Sequence, residues 1–170
     1  MAPYVESFSN RPSPAQIVPI DRIPAVFAAS DIVNPKLRLA GHLLTYHPPT
    51  RLALLSSVDR STAVWIDPKL CFDHPSDDSL YPRPSDDLEA ARAFGTSGHA
   101  GKGSYWVAVG DLERVLPSEL PTLDTVNLPT WSTHTIQIPH WILRAILLRP
   151  SPELDLRLWE QAARTRLGVS

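Results

Sequence analysis

Cysteine is nearly absent from this chain. Cys71 is the only one in 170 residues, which excludes an intrachain disulfide framework and a cysteine-based zinc site. Glycine is scarce as well. Its 7 residues stand against 18 prolines, so proline spaces the short elements and stiffens the tails. Neither sign of charge is in real excess, with 16 Lys+Arg against 18 Asp+Glu. That excludes a protein that coats polyanions by bulk charge, and any nucleic-acid contact must come from a local patch. No apolar run reaches the ~18 residues of a spanning helix. The first residues, broken by Pro3, Pro12, Pro14, Pro19 and Pro24, lack the roughly 7–15-residue apolar centre of a secretory signal. A soluble protein of a reducing compartment, cytoplasm or nucleus, is the expectation.

Hydrophobic content is 43% and charged content 20%, the balance of a globular domain. A domain of this length buries about 70% of the surface its unfolded chain exposes. Residues 1–20 read as a Pro-rich tail and 21–170 as one domain. Ile23-Pro24-Ala25-Val26-Phe27-Ala28-Ala29 has room for a turn or two of helix, and Asn34-Pro35 ends it. Then the period becomes two. Leu37, Leu39, Gly41 and Leu43 share one side, and Arg38, Ala40, His42 and Tyr46 the other, with Leu44 as an exception. Gly41 inside this strand suggests a bend or bulge, as a strongly coiled strand of a small barrel needs. His47-Pro48-Pro49-Thr50 turns the chain into a second strand over 51–57, and Asp59-Arg60-Ser61 leads to a third over 62–67.

Residues 73–103 interrupt the meander. Asp86 and Glu89 have the spacing of a capping box ahead of Leu88-Glu89-Ala90-Ala91-Arg92-Ala93-Phe94, and Gly95 suits the end of a short helix there. A fourth strand is expected over 104–115, an irregular segment over 116–134, and a fifth strand over 135–149, interrupted at Pro139. The fifth strand is apolar on both faces through Trp141-Ile142-Leu143-Arg144-Ala145-Ile146-Leu147-Leu148, so it needs two covers. The barrel interior supplies one. The last element, a helix over 152–167, is expected to supply the other. Ser151 or Asp155 caps it, and Leu156, Trp159, Ala163 and Leu167 form one stripe that Leu158 and Ala162 widen. Acids early and Arg164 and Arg166 late suit the helix dipole. Five strands, a short helix between the third and fourth, and a terminal helix make an all-β chain with added helices on the plan of a five-stranded OB-fold Greek-key barrel.

Few residues invite chemistry. The stretch 95–104 fails as a phosphate loop because Thr96 stands where a glycine is needed and Gly103 follows Lys102 in place of Ser/Thr. It fails as a nucleophile elbow because position 99 is His. Asp73, His74, Asp77 and Asp78, with Cys71 nearby, are metal donors in no zinc or calcium spacing and read as a solvated acidic loop. Trp65 and Trp106 fall opposite the apparent core side, where indoles either stack nucleobases or pack under another element. Arg38, Tyr46 and Arg51 lie at one end of the first hairpin, where they have the chemistry to grip a phosphate and stack a base.

The succession of Leu37-Arg38-Leu39-Ala40-Gly41-His42-Leu43 through Tyr46, Val64-Trp65-Ile66-Asp67-Pro68-Lys69-Leu70, Val107-Ala108-Val109-Gly110-Asp111-Leu112, Leu143-Arg144-Ala145-Ile146-Leu147 and Leu154-Asp155-Leu156-Arg157-Leu158-Trp159-Glu160-Gln161-Ala162 resembles the small OB-fold (Ten) subunit of the CST telomere-capping complex. It covers about 37–70 and 104–167. The chain is similar also to the smallest subunit of replication protein A. The resemblance implies a non-enzymatic protein without cofactor or metal, in the nucleus at the chromosome telomere. Its partner would be a Stn-type OB-fold subunit, with the large CST subunit completing the complex. Single-stranded telomeric DNA and polymerase α–primase would be met through the complex, and no membrane. Carried onto this chain, the partner-binding positions are Leu154, Leu156, Leu158, Trp159, Ala162, Ala163 and Leu167. Replication protein A membership is the alternative. A small hydrolase or metal enzyme using the 73–104 loop is the alternative from another class.

Overall fold

The computed structural model describes residues 14–27, 33–72, 105–122, 126, 128, 136–138 and 140–168. In chain order it forms β1 (Gln16–Ile17), a 3-10 turn (Ile20–Arg22), α1 (Ile23–Phe27), β2 (Lys36–His47), β3 (Leu52–Ser56), β4 (Ala63–Asp67), α2 (Lys69–Phe72), β5 (Tyr105–Arg114), a second 3-10 turn (Pro117–Glu119), β6 (Trp141–Pro150) and α3 (Leu156–Arg166). β2 pairs antiparallel with β5 through its first half and with β3 through its second. β3 pairs antiparallel with β4, β4 parallel with β6, and β6 antiparallel with β5. The ring β2-β3-β4-β6-β5 therefore closes on β2. That is the five-stranded OB-fold barrel the alternation predicts.

The strand that changes partners is β2, and the change falls at His42, which pairs with Tyr105 on one side and Ser56 on the other. Gly41 stands next to it because nothing larger fits. A Cβ there would overlap the carbonyl oxygen of Ser56 and stand 2.8 Å from Cδ1 of Ile20. Leu37, Leu39 and Leu43 point inward from β2 to meet Leu55, Val64, Ile66, Leu112 and Leu143. A bulge between Leu43 and Thr45 shifts the register against β3. Leu44, the exception to the sequence alternation, lands outside with Leu54 and Trp65, and Tyr46 returns to the inner side, packed against the main core. An extra residue in one strand reverses the faces beyond it.

Several expectations need correction. The tail ends before residue 20: Gln16 and Ile17 pair in parallel with Leu37 and Arg38, and Val18, Ile20, Ile23 and Phe27 are buried in the main core. The short helix between the third and fourth barrel strands is α2, begun by Asp67, whose Oδ1 accepts the Lys69 amide at 3.0 Å. The helix expected near 88–94 lies outside the described residues. Trp106 is not on the outer side. It is 7% exposed and joins Ala108 inside the barrel. Trp65 does face outward, but it is fully buried against Leu54, Val126, Ile136 and Ile142. Both indoles pack, and neither offers a face for stacking.

The space at Gly41 yields a direct check. Gly41→Ala is expected to lower stability by about 1–3 kcal/mol, the usual cost of overpacking, read as a lower urea midpoint. An unchanged midpoint would mean that β2 does not pass Ser56 as described.

Candidate functional site

The terminal helix begins where its cap is. Asp155 accepts the Leu158 amide at 3.0 Å, so of the two caps the sequence offers, the structure uses Asp155. Ser151 instead donates its amide to the Tyr105 carbonyl at 2.7 Å, tying the end of β6 to the start of β5. Leu156 and Ala163, at i and i+7, point at the barrel and are 4% and 1% exposed. Leu156 packs on Ala40 of β2 and Val107 of β5, with Val58, Tyr105, Leu154 and Trp159 half-buried around it. Leu167 reaches the edge of the main core.

An arginine clamp holds the far end of the helix. Arg164 donates through Nη2 to Glu160 Oε1 at 2.6 Å and to Asp21 Oδ2 at 2.7 Å. Its hydrogen bond to the Glu160 carboxylate, helped by Asp21 and opposed by partial burial, holds the Arg164 pKa above the ordinary value. Side chains this exposed contribute roughly 0–1 kcal/mol per pair, so the clamp sets direction more than stability.

The helix does not lie on the fifth barrel strand, as its apolar sequence suggests. It lies over β2 and β5, and Ile146 and Leu147 of β6 stay 49% and 43% exposed. α2 is the helix that packs on β6. Its Cys71 thiol donates to the Ala145 carbonyl at 3.3 Å, and burial, with Asp67 adding to it, pushes that thiol up to about 11. A thiol so protonated is a poor nucleophile.

The seven helix positions divide accordingly. Leu156 and Ala163 are spent on the barrel, and Leu154, Trp159 and Leu167 are half-buried. Leu158, 63% exposed, and Ala162, also exposed, stand one turn apart on the outer face. Arg38, Tyr46 and Arg51 are not brought together. Arg38 pairs with Ile17 and Val109, eight residues and up to ~26 Å along an extended strand from Tyr46. Arg51 is exposed in the β2–β3 turn, with φ +57° and its amide bonded to the Pro48 carbonyl. Asp73, His74, Asp77, Asp78 and the 95–104 stretch lie outside the described residues. Among the described residues no three His, Cys, Asp or Glu side chains gather as a metal site.

One feature has no sequence signal. A cleft of about 560 Å³ opens between the start of α3 and the β3–β4 turn, lined by His42, Val58, Asp59, Arg60, Tyr105, Leu154, Asp155, Leu156 and Arg157. Its floor is His42 edge-on to Tyr105, ring centroids 5.0 Å apart. Its acids are already engaged. Asp59 accepts from the Ser57 hydroxyl at 2.6 Å and the Ser61 hydroxyl at 2.8 Å, and Asp155 caps the helix. Burial, then the charge of Arg60, lowers the His42 pKa from 6.5, against a hydrogen bond with the Val58 backbone. The unfolded chain therefore takes up this proton more readily than the folded one. The contribution of His42 to stability is complete above pH 6.5 and is lost as pH falls through the lower folded value. Replacing His42→Gln should shrink the drop in urea midpoint between about pH 7.5 and 5.5. An identical drop in both proteins would show that His42 is not the titrating group.

No protein-family profile matches the chain, and no curated protein does. Among solved structures it is similar to a chain of the S. pombe Stn1–Ten1 complex, with a TM-score of 0.47 and 15% identity, covering 93% of this chain and 96% of that one. It is similar also to the S. pombe telomere capping protein Ten1, with a TM-score of 0.45 and 15% identity, covering 91% of this chain and 99% of that one.

Proposed function

We propose that this chain is a non-catalytic telomere-capping subunit whose work is to pair with a Stn-type OB-fold protein. The observation that carries this reading is the second apolar stripe of α3. The inner stripe is filled by the barrel, yet Leu158 projects 63% exposed on the other face. Ala162 one turn later is small enough for another helix to approach closely. Trp159, half-buried beside Leu156, borders both stripes, and an indole at such an edge suits an interface anchor. Of the seven partner-binding positions, Leu158, Trp159 and Ala162 meet the partner. Leu154, Leu156, Ala163 and Leu167 seat the helix.

The telomeric setting comes from the resemblance of residues 37–70 and 104–167 to the Ten-type subunit. On that reading the pair joins the large CST subunit at chromosome ends in the nucleus. It holds single-stranded DNA and meets polymerase α–primase as an assembly. Arg51, exposed at the β2–β3 turn, is the member of the sequence trio best placed for a backbone phosphate.

Co-expression tests this. The chain is expected to co-purify with a Stn-type subunit and not with the middle subunit of replication protein A. Leu158→Asp should weaken the Stn-type complex by roughly 30-fold or more, the loss of one hot-spot side chain, while the lone variant keeps its unfolding midpoint. A complex indifferent to Leu158→Asp, or capture by the replication protein A subunit instead, would contradict the reading.

A further inference from the structure

The cleft between the start of α3 and the β3–β4 turn has the make-up of a ligand site. Its volume of about 560 Å³ falls within the ~300–1,000 Å³ of small-molecule clefts. Val58, Leu154 and Leu156 supply apolar wall, and the rings of His42 and Tyr105 meet edge to face on its floor. Two arginines line it, Arg60 from the β3–β4 turn and Arg157 from the first turn of α3. The two aspartates beside them keep their oxygens for the chain. Asp59 accepts from the Ser57 hydroxyl and from both the amide and the hydroxyl of Ser61, and Asp155 accepts the Leu158 amide. Arg60 also stands where its side chain is costly. Its φ of +61° is a conformation that favours glycine. The turn holds it there, with the Ser57 amide on the Thr62 carbonyl at 2.8 Å and the Arg60 amide on the Ser57 carbonyl at 3.1 Å. Glycine would serve the turn better, and arginine brings a guanidinium within electrostatic reach of His42.

We propose that this cleft binds a nucleoside monophosphate, its base on the His42–Tyr105 floor and its phosphate held by Arg60 and Arg157. An aromatic floor selects a flat ring, and two guanidiniums select an anion. Two arginines match the nearly double charge of a phosphate monoester better than the single charge of a diester. A free nucleotide or the phosphorylated end of a strand therefore fits, and the interior of a strand does not. Interior nucleotides would also need a succession of stacking rings along a basic groove, and here one ring pair lies in one cleft. A phosphoserine peptide would bring no flat ring to that floor. Nothing in this site draws on the pairing with a Stn-type subunit, since Leu158 and Ala162 belong to the outer stripe of α3 and do not line the cleft.

The test is calorimetry on the full chain with deoxyadenosine monophosphate, deoxyadenosine, inorganic phosphate, and oligo(dA) with or without a terminal phosphate. The monophosphate is expected to bind saturably. Deoxyadenosine and inorganic phosphate should each bind at least about tenfold more weakly, since each lacks one half of the ligand. Arg60→Gly and Arg157→Glu should each weaken the monophosphate by at least about tenfold. Glycine suits that turn and a first-turn acid suits the helix dipole, so both variants are expected to keep the urea midpoint. Oligo(dA) with the terminal phosphate should displace the monophosphate if strand ends are the source, and should fail to if free nucleotides are. Displacement by oligo(dA) without that phosphate would assign the cleft to the interior of a strand and overturn the proposal. No saturable binding of the monophosphate, or binding that both arginine variants leave intact, would overturn it too.

Discussion

Closure of the barrel at Gly41 is the constraint on which everything else rests. One long strand must leave β5 and take up β3 without a break, and at that point its backbone passes against the Ser56 carbonyl with Ile20 behind it. A side chain there would push β2 away from β3 and from Ile20. With the passage open, the buried segment from Val18 to Phe27 fills the same core as the inward leucines. β2 and β5 then lie side by side, and their outer residues Ala40 and Val107 become the seat for Leu156.

The terminal helix follows from that seat. Its cap at Asp155 and its inner stripe fix where it starts and which way it faces, and the reach of Arg164 to Asp21 fixes where it ends. Burial of Leu156 contributes on the order of 1.5–3 kcal/mol, well above what an exposed ion pair supplies. A helix held this way keeps its outer stripe at a constant position relative to the β5–β6 surface. Preorganisation of this kind lowers the entropy lost when a partner binds the outer stripe.

Much of this was legible in the sequence. Alternation located the first four barrel strands to within a residue or two and Gly41 marked the bend, but the fifth strand begins at Trp141, six residues after the expected start. The 3.6-residue period found the terminal helix, which starts at Leu156 rather than 152 because Asp155 is its cap. Where the reading failed, tertiary effects outweighed local pattern. The bulge at Leu44 sends Tyr46 inward, and no periodicity announces which residue of a strand will be extra. Trp106 alternates with Val107 and Val109, and since both faces of β5 are apolar, alternation could not say which face was inside. Val18 and Ile20 sit in a proline-rich stretch whose composition hid a core contribution. The apolar outer face of β6 implied a cover that the chain's own helix does not supply, because α3 is seated on the neighbouring β5 and on β2 beyond it.

Hydrogen exchange at the amides of residues 156–166, in the lone chain and with a Stn-type subunit bound, tests the central claim most directly. The account predicts that α3 exchanges faster than β2 and β5 when the chain is alone, held by one stripe only, and slows by about tenfold or more when the partner occupies the other stripe. Exchange in α3 that is already as slow as in the barrel core, and unchanged when the partner binds, would contradict it.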